Sequence, residues 1–170
     1  MDVDEGFTTY VAQRRLRLFR TACLLCGDPD QAEDIVQDAL ARLYAAWPRA
    51  SRAQNIDGYA RRAVINSHLN QVRRPWRREQ AAPDVGDRPV DVQLPTEDLQ
   101  VMWAALRSLP LGQRKVVVLR HYLGLSVEET AADLGISAGT VKSQTSDALA
   151  ALRRALAAEF GASVAEGGGE

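Results

Sequence analysis

An all-α fold of two small helical domains, joined by a flexible acidic linker, is predicted by three features of this sequence. No segment alternates apolar and polar residues for long, so no sheet is expected. Apolar residues recur instead at spacings of three and four in both halves of the chain. Between the halves, residues 79–98 hold Glu79, Asp84, Asp87, Asp91, Glu97 and Asp98 against the lone Arg88, with Pro83, Pro89, Pro95 and Gly86 and no helical period. That composition reads as a linker. The expected divisions are a first domain over 5–77, a linker over 78–95, a second domain over 96–160 carrying a helix-turn-helix, and a disordered tail over 161–170.

The elements follow in order. Val11, Arg15, Leu18, Phe19, Ala22 and Cys26 share one helical face, and Gly27 stops that helix in the left-handed conformation glycine favours. Asp28 caps the next helix, Pro29 suits its first turn and Gln31 completes a capping box. Its buried stripe is Ala32, Ile35, Val36, Ala39, Leu40, Leu43 and Trp47. A third helix starts near Asp57, with Ile65, Leu69 and Val72 as core, and breaks around Pro75 because Arg74 is pushed from helical angles. Thr96 caps the second domain, whose first core face is Leu99, Met102, Trp103 and Leu106 up to the Leu109-Pro110 break. Val116, Val117, Leu119, Tyr122 and Leu123 make the next helix, which Gly124 stops. Ser126 and Glu129 form a capping box for a short helix ending at Leu134-Gly135. A long helix follows Ile136-Ser137 with Val141, Thr145, Ala148, Leu152 and Leu156 inward.

With 170 residues, 46% hydrophobic and 25% charged, the chain is globular and not disordered. Its longest aliphatic run, Val116 to Leu119, is far too short to span a membrane. The acidic N-terminus has no apolar stretch behind it, so no signal peptide is expected. Two cysteines fit a reducing cytoplasm. Cys23 and Cys26 are spaced like half a zinc site, but no further ligands are placed to complete it, and small core residues are expected instead. The net charge of −1 hides segregation: residues 61–78 hold Arg61, Arg62, Arg73, Arg74, Arg77 and Arg78 and no acid.

The Leu134-Gly135-Ile136-Ser137 turn joins two helices into a helix-turn-helix. Ala131 is small where the helices cross, Gly135 allows positive φ, and Ile136 and Val141 plug the angle between them. Ser137 leaves the N-terminal amides of the second helix facing outward, which suits a phosphate or a groove. Thr140, Lys142, Ser143 and Ser146 face away from the apolar stripe, where residues of a recognition helix meet base edges. Gln144 lies at the edge of that face. Asp147 lies close to it too; its carboxylate repels phosphate but can accept a hydrogen bond from a cytosine amino group.

On the third helix, Tyr59, Arg62, Asn66, Asn70, Arg73 and Arg77 share a face, and Arg74 adds a further cation. Guanidinium groups contact phosphates, asparagine amides meet base edges, and Tyr59 can stack on an exposed base. On the second helix, Glu33, Asp34, Gln37, Asp38 and Arg42 lie opposite the buried stripe. Carboxylates at helical spacing suit a metal, acid–base work or protein docking. His68 and His121 are on other helices, so docking is the favoured reading and neither metal nor cofactor is expected. Two further function classes stay open at this level. One is a stand-alone helix-turn-helix regulator, which leaves the Arg62/Asn66/Asn70 face and the acidic linker without a role. The other is a carboxylate metalloenzyme built on Asp34 and Asp38.

Three stretches together resemble the extracytoplasmic-function group of the bacterial sigma-70 family, and its SigE-like members. GDPDQAEDIVQDALARLYAAW is similar to the helix that binds core polymerase. IDGYARRAVINSHLNQVRR is similar to the helix that engages the −10 promoter element, and LPLGQRKVVVLRHYLGLSVEETAADLGISAGTVKS to the domain that reads the −35 element. The family often has an acid where Asn70 stands, an Arg followed by an apolar residue where Gln144 and Thr145 stand, and an Arg where Asp147 stands. The resemblance implies a non-enzymatic subunit whose partners are core RNA polymerase, through its β′ clamp helices and β flap, promoter DNA, and an anti-sigma factor. It also implies that the 33–42 face docks on the clamp helices, that the linker threads the polymerase's nucleic-acid channel, and that Asn66 with the loop Ser51 to Ile56 captures a flipped base.

Overall fold

The computed structural model describes residues 2–73 and 97–166, and no strand occurs among them. Arg74, Arg77, the linker, the break at Pro75, the cap at Thr96 and the Leu99 side chain lie outside the described residues. The chain divides into two compact units, Met1–Val92 and Gln93–Glu170.

The first unit contains α1 (Val3–Cys26), α2 (Pro29–Ala45), α3 (Trp47–Ala50) and α4 (Ile56–Arg73). Gly27 ends α1 at φ 77°, its amide donating to the Cys23 carbonyl. The Asp28 carboxylate then accepts from the Gln31 amide at 3.0 Å, which is the first arm of the expected capping box, and Pro29 occupies the first turn of α2. Capping of this kind stabilises a helix by about 0.5–2 kcal/mol. α2 packs on both α1 and α4. Ala22, Ala32, Ile35, Val36 and Val64 are completely buried there.

Three expectations for this unit shift. Leu18 and Ala22 are buried as read from the spacing, but Val11, Arg15, Phe19 and Cys26 are only half-buried, while Tyr10, Thr21, Cys23 and Leu25 go inside. The cause is that α1 packs on α2, α4 and α3, so its covered arc is wider than one stripe and differently centred. The same holds for α4, whose arc centres on Val64, Ile65 and His68; Leu69 on its flank and Val72 in its last turn are half-buried. Trp47 is buried, but it belongs to α3, since α2 ends at Ala45. It stacks edge-to-face on Phe7 with ring centroids 5.2 Å apart, an arrangement favoured by the ring quadrupoles.

The second unit contains α5 (Glu97–Ser108), α6 (Leu111–Val117), a π-helical turn (Val118–Tyr122), α7 (Val127–Leu134) and α8 (Ala138–Glu166). Val116, Leu119, Val141 and Ala148 are completely buried. Met102, expected in the core, is 39% exposed, and Trp103 is half-buried. Ala105 and Leu109 pack with Ala148 and Leu152 instead, because the small Ala105 lets α5 approach α8 closely. Tyr122, also expected inside, is 50% exposed. The helix widens at Val118, whose carbonyl accepts from the Leu123 amide five residues on, and the wider turn rotates Tyr122 outward. Gly124 then stops the helix at φ 69°.

α8 continues to Glu166, past residue 161 where the disordered tail was expected. Gly161 is the only helix-weakening glycine in that extension. No helix among the described residues is long and apolar enough to cross a membrane.

Candidate nucleic-acid and polymerase interfaces

Local chemistry sets the recognition helix in place. Both arms of the expected capping box form: the Glu129 amide donates to Ser126 Oγ at 3.0 Å and the Ser126 amide to the Glu129 carboxylate at 2.8 Å. Gly135 adopts φ 66° and ends α7, its amide donating to the Ala131 carbonyl. The Ile136 amide reaches the same carbonyl at 3.1 Å, tightening the turn. Ser137 then caps α8, its Oγ accepting from the Thr140 amide at 3.1 Å.

Lys142, Ser143, Ser146 and Asp147 are exposed on α8. Two residues expected beside them are turned elsewhere. The Thr140 hydroxyl lies 2.8 Å from Ser137 Oγ, so Thr140 is half-buried in the cap. Gln144 leans on α6, where a side chain on Gly112 would meet its Oε1 at 2.8 Å. That oxygen is buried with no hydrogen-bond partner. Beside the recognition face lies a cleft of about 350 Å³ lined by Arg120, Val127, Lys142, Thr145, Ser146, Leu149 and Arg153. Arg120 and Arg153 were not foreseen as site residues. Arg153 carried a legible signal, since it follows Lys142 by three helical turns.

On α4, Tyr59 is 45% exposed, and Arg62, Asn66 and Arg73 are exposed along the same side, with Asn70 half-buried. The helix start is anchored: Asn55 Oδ1 accepts from the Gly58 amide at 2.8 Å. The Tyr10 hydroxyl donates to Asp57 Oδ1 at 2.9 Å, and Arg14 Nε lies 3.3 Å from the same oxygen. Burial, followed by the hydrogen bond to Asp57 and its charge, raises the Tyr10 hydroxyl above the usual phenol range. In the loop before α4, Arg52, Gln54 and Asn55 are exposed.

The α2 face is less uniformly negative than its composition suggests. Glu33 is paired with Arg15 of α1, and Asp38 with Arg42 at 3.0 Å along the helix. Asp34 and Gln37 stand exposed between these pairs. Such exposed pairs contribute little to stability, about 0–1 kcal/mol, but they remove charge from the patch. No three His, Cys, Asp or Glu side chains among the described residues come together as a metal-sized group. The buried Cys23 thiol is pushed up to about 12, mainly by burial, so it stays protonated as a packing group.

Comparison with known proteins accounts for both units. The sigma-70 region 2 family model matches residues 10–78, and the sigma-70 region 4 model matches residues 99–152. The chain is 40% identical over 153 residues to the RNA polymerase sigma-E factor of Streptomyces coelicolor, covering 89% of this chain and 86% of that protein. It is 32% identical over 155 residues to the ECF RNA polymerase sigma factor SigM of Mycobacterium tuberculosis, covering 89% of this chain and 77% of that one. Among solved structures, the sigma factor RpoE from Bartonella quintana, crystallised with the anti-sigma factor NepR, superimposes with a TM-score of 0.74 at 29% identity, covering 89% of this chain and 97% of that one. The same fold occurs in CnrH, solved with the cytosolic domain of CnrY, at a TM-score of 0.62 and 24% identity over 91% of this chain and 90% of that one. The chain belongs to the sigma-70 family of RNA polymerase sigma factors, in its extracytoplasmic-function group.

Proposed function

We propose that this sigma factor divides its promoter work between its two units. The α4 face of Tyr59, Arg62, Asn66 and Arg73 engages the −10 element and holds it open. The α8 face of Lys142, Ser143 and Ser146 reads the −35 element. The observation that carries this reading is the α4 face itself, with its aromatic and amide groups exposed among guanidinium groups. A simple duplex-binding regulator needs α8 alone; stacking and amide groups among cations suit single-stranded bases. Opening a base-pair step costs roughly 1.4 kcal/mol of stacking. Capturing one base on an aromatic platform returns on the order of 1–3 kcal/mol, so a captured base offsets one or two steps.

The α2 face, centred on Asp34 and Gln37, is the core-polymerase contact and docks on the β′ clamp helices; the β flap is a further polymerase surface that the chain engages. The role is that of a specificity subunit and not of a catalyst, exercised in the cytoplasm where the polymerase works. An anti-sigma factor is a further partner, supported by the bound state of the Bartonella relative. Run-off transcription by core polymerase with and without this chain, on a promoter library, tests the reading. The expected result is initiation at promoters sharing −35 and −10 motifs only when the chain is present. Binding of a duplex operator by the chain alone, with no change in initiation, would contradict it.

A further inference from the structure

The cleft beside the recognition helix shares Lys142 and Ser146 with the −35-reading face, but its Arg120 and Arg153 have no part in the reading assigned above. Lys142, Ser146, Leu149 and Arg153 form one stripe of α8 along it, while Arg120 enters from the π-helical turn and Val127 from the first turn of α7. Arg120 is held in place, one guanidinium nitrogen donating to the Leu125 carbonyl. Its Nε is buried with no hydrogen-bond partner. Three cations therefore line a cleft whose other walls are Val127, Thr145, Leu149 and a serine hydroxyl.

No acid lines it. Asp147 lies roughly 140° around α8 from Lys142, at ~100° per residue. The Glu129 carboxylate faces the Ser126 amide at 2.8 Å, and Glu128 is exposed but not on the cleft wall. The site is built for an anion. In a docked helix-turn-helix, the first helix crosses the DNA backbone while the second enters the major groove. A cleft between the start of α7 and the edge of α8 lies where those two elements meet the strand that borders the groove.

Resting on the −35 reading above, we propose that Arg120 and Arg153 join Lys142 in seating one backbone phosphate of the −35 strand. The seat fixes the register of α8 on the duplex and carries no sequence information, as phosphate contacts generally do. Base discrimination is then left to Ser143, Ser146 and Asp147.

The test uses holoenzyme assembled from core polymerase and the full chain, on a promoter duplex that the wild-type holoenzyme selects from a library. Arg153 is exposed, so Arg153→Gln should fold normally by circular dichroism. Because Arg153 is one of three cations on that phosphate, its loss should lower the slope of log affinity against log salt by up to ~0.9, the value for one fully lost phosphate contact, and weaken binding by up to about eightfold near 0.1 M salt. The −35 base preference should not change. A scan of neutral methylphosphonates along the −35 strand should find one position that weakens the wild type more than it weakens Arg153→Gln. Arg120→Lys, which keeps the charge, should retain most of the slope. An unchanged slope in Arg153→Gln would overturn the seat. So would weakened core binding with an unchanged slope, which would make the cleft a protein contact. If the wild-type holoenzyme selected no promoter, the −35 reading would fall and the seat with it.

Discussion

The two nucleic-acid faces are built on opposite plans. α4 combines guanidinium, amide and aromatic groups on a single helix, and Tyr10 and Arg14 lock the start of that helix to α1 through Asp57. α8 presents short hydroxyls, one lysine and an aspartate, and further positive charge reaches its edge from Arg120, on a different element. The difference teaches how the work is shared. Short hydroxyls and a carboxylate on a rigid, capped helix can discriminate base edges of an intact duplex. Flat and long side chains on a pinned helix can hold bases that have left the stack. Opening should therefore be concentrated in the first unit, and sequence preference in the second.

The largest expected effect belongs to the surface on which both faces depend. Asp34→Arg with Asp38→Arg should abolish co-purification with core polymerase while leaving helicity and melting temperature nearly unchanged, since exposed substitutions cost little. Retained core binding by the folded double variant would move the docking surface away from α2.

A second expected effect separates the units by their chemistry in alkali. Tyr10 and Cys23 both have raised pKa values in the folded state. Their contribution to stability is complete below their unfolded values and is lost as pH rises through the folded ones. For Cys23 that window runs from about 9 to about 12. Unfolding followed through Trp47, in the first unit, should therefore grow easier across this range, and Cys23→Ala should flatten the decline. An equally steep decline in Cys23→Ala would remove Cys23 from the account.

Smaller effects sharpen the reading of α8. Lys142→Ala should lower the salt slope by ~0.9 and weaken all promoters alike, as loss of one phosphate contact does. Ser143→Ala should leave affinity for the selected site within a few-fold and instead broaden the −35 motif recovered by selection, because a single hydroxyl to a base edge contributes little binding but some discrimination. If selection on Ser143→Ala returned the wild-type motif, base reading would lie elsewhere on the helix.

Features set by neighbouring residues were legible before any coordinates. Ser126 and Glu129 spell a capping box, and Gly27, Gly124 and Gly135 mark left-handed stops; all are present. Errors arose where distant parts of the chain decide. Nothing in Val116–Tyr122 spells a π turn, so helical spacing alone puts Tyr122 inside. Gln144 looked like part of the DNA edge because its packing on Gly112 depends on how α6 crosses α8. Thr140 was read as outward because its periodicity is right, but the cap on Ser137 competes for its hydroxyl. The cationic cleft combines three separate elements and has no single sequence signature. The polymerase and promoter assignments came from motif resemblance, which spacing and charge alone left open against a regulator.

The central claim is that the uncharged groups of the α4 face act in opening and not in duplex binding, and Asn66 tests it most directly. Asn66 is exposed beside Arg62 and Arg73 but uncharged, so it adds little to the phosphate attraction that dominates a closed complex. Asn66→Ala holoenzyme should be compared with wild type on a duplex promoter and on the same promoter carrying a pre-opened mismatch bubble, with permanganate-reactive thymines as the readout. The account predicts slow opening on the duplex that the artificial bubble largely rescues, with closed-complex affinity unchanged. An equal defect on both templates would contradict it, placing Asn66 in general binding or in the folding of α4.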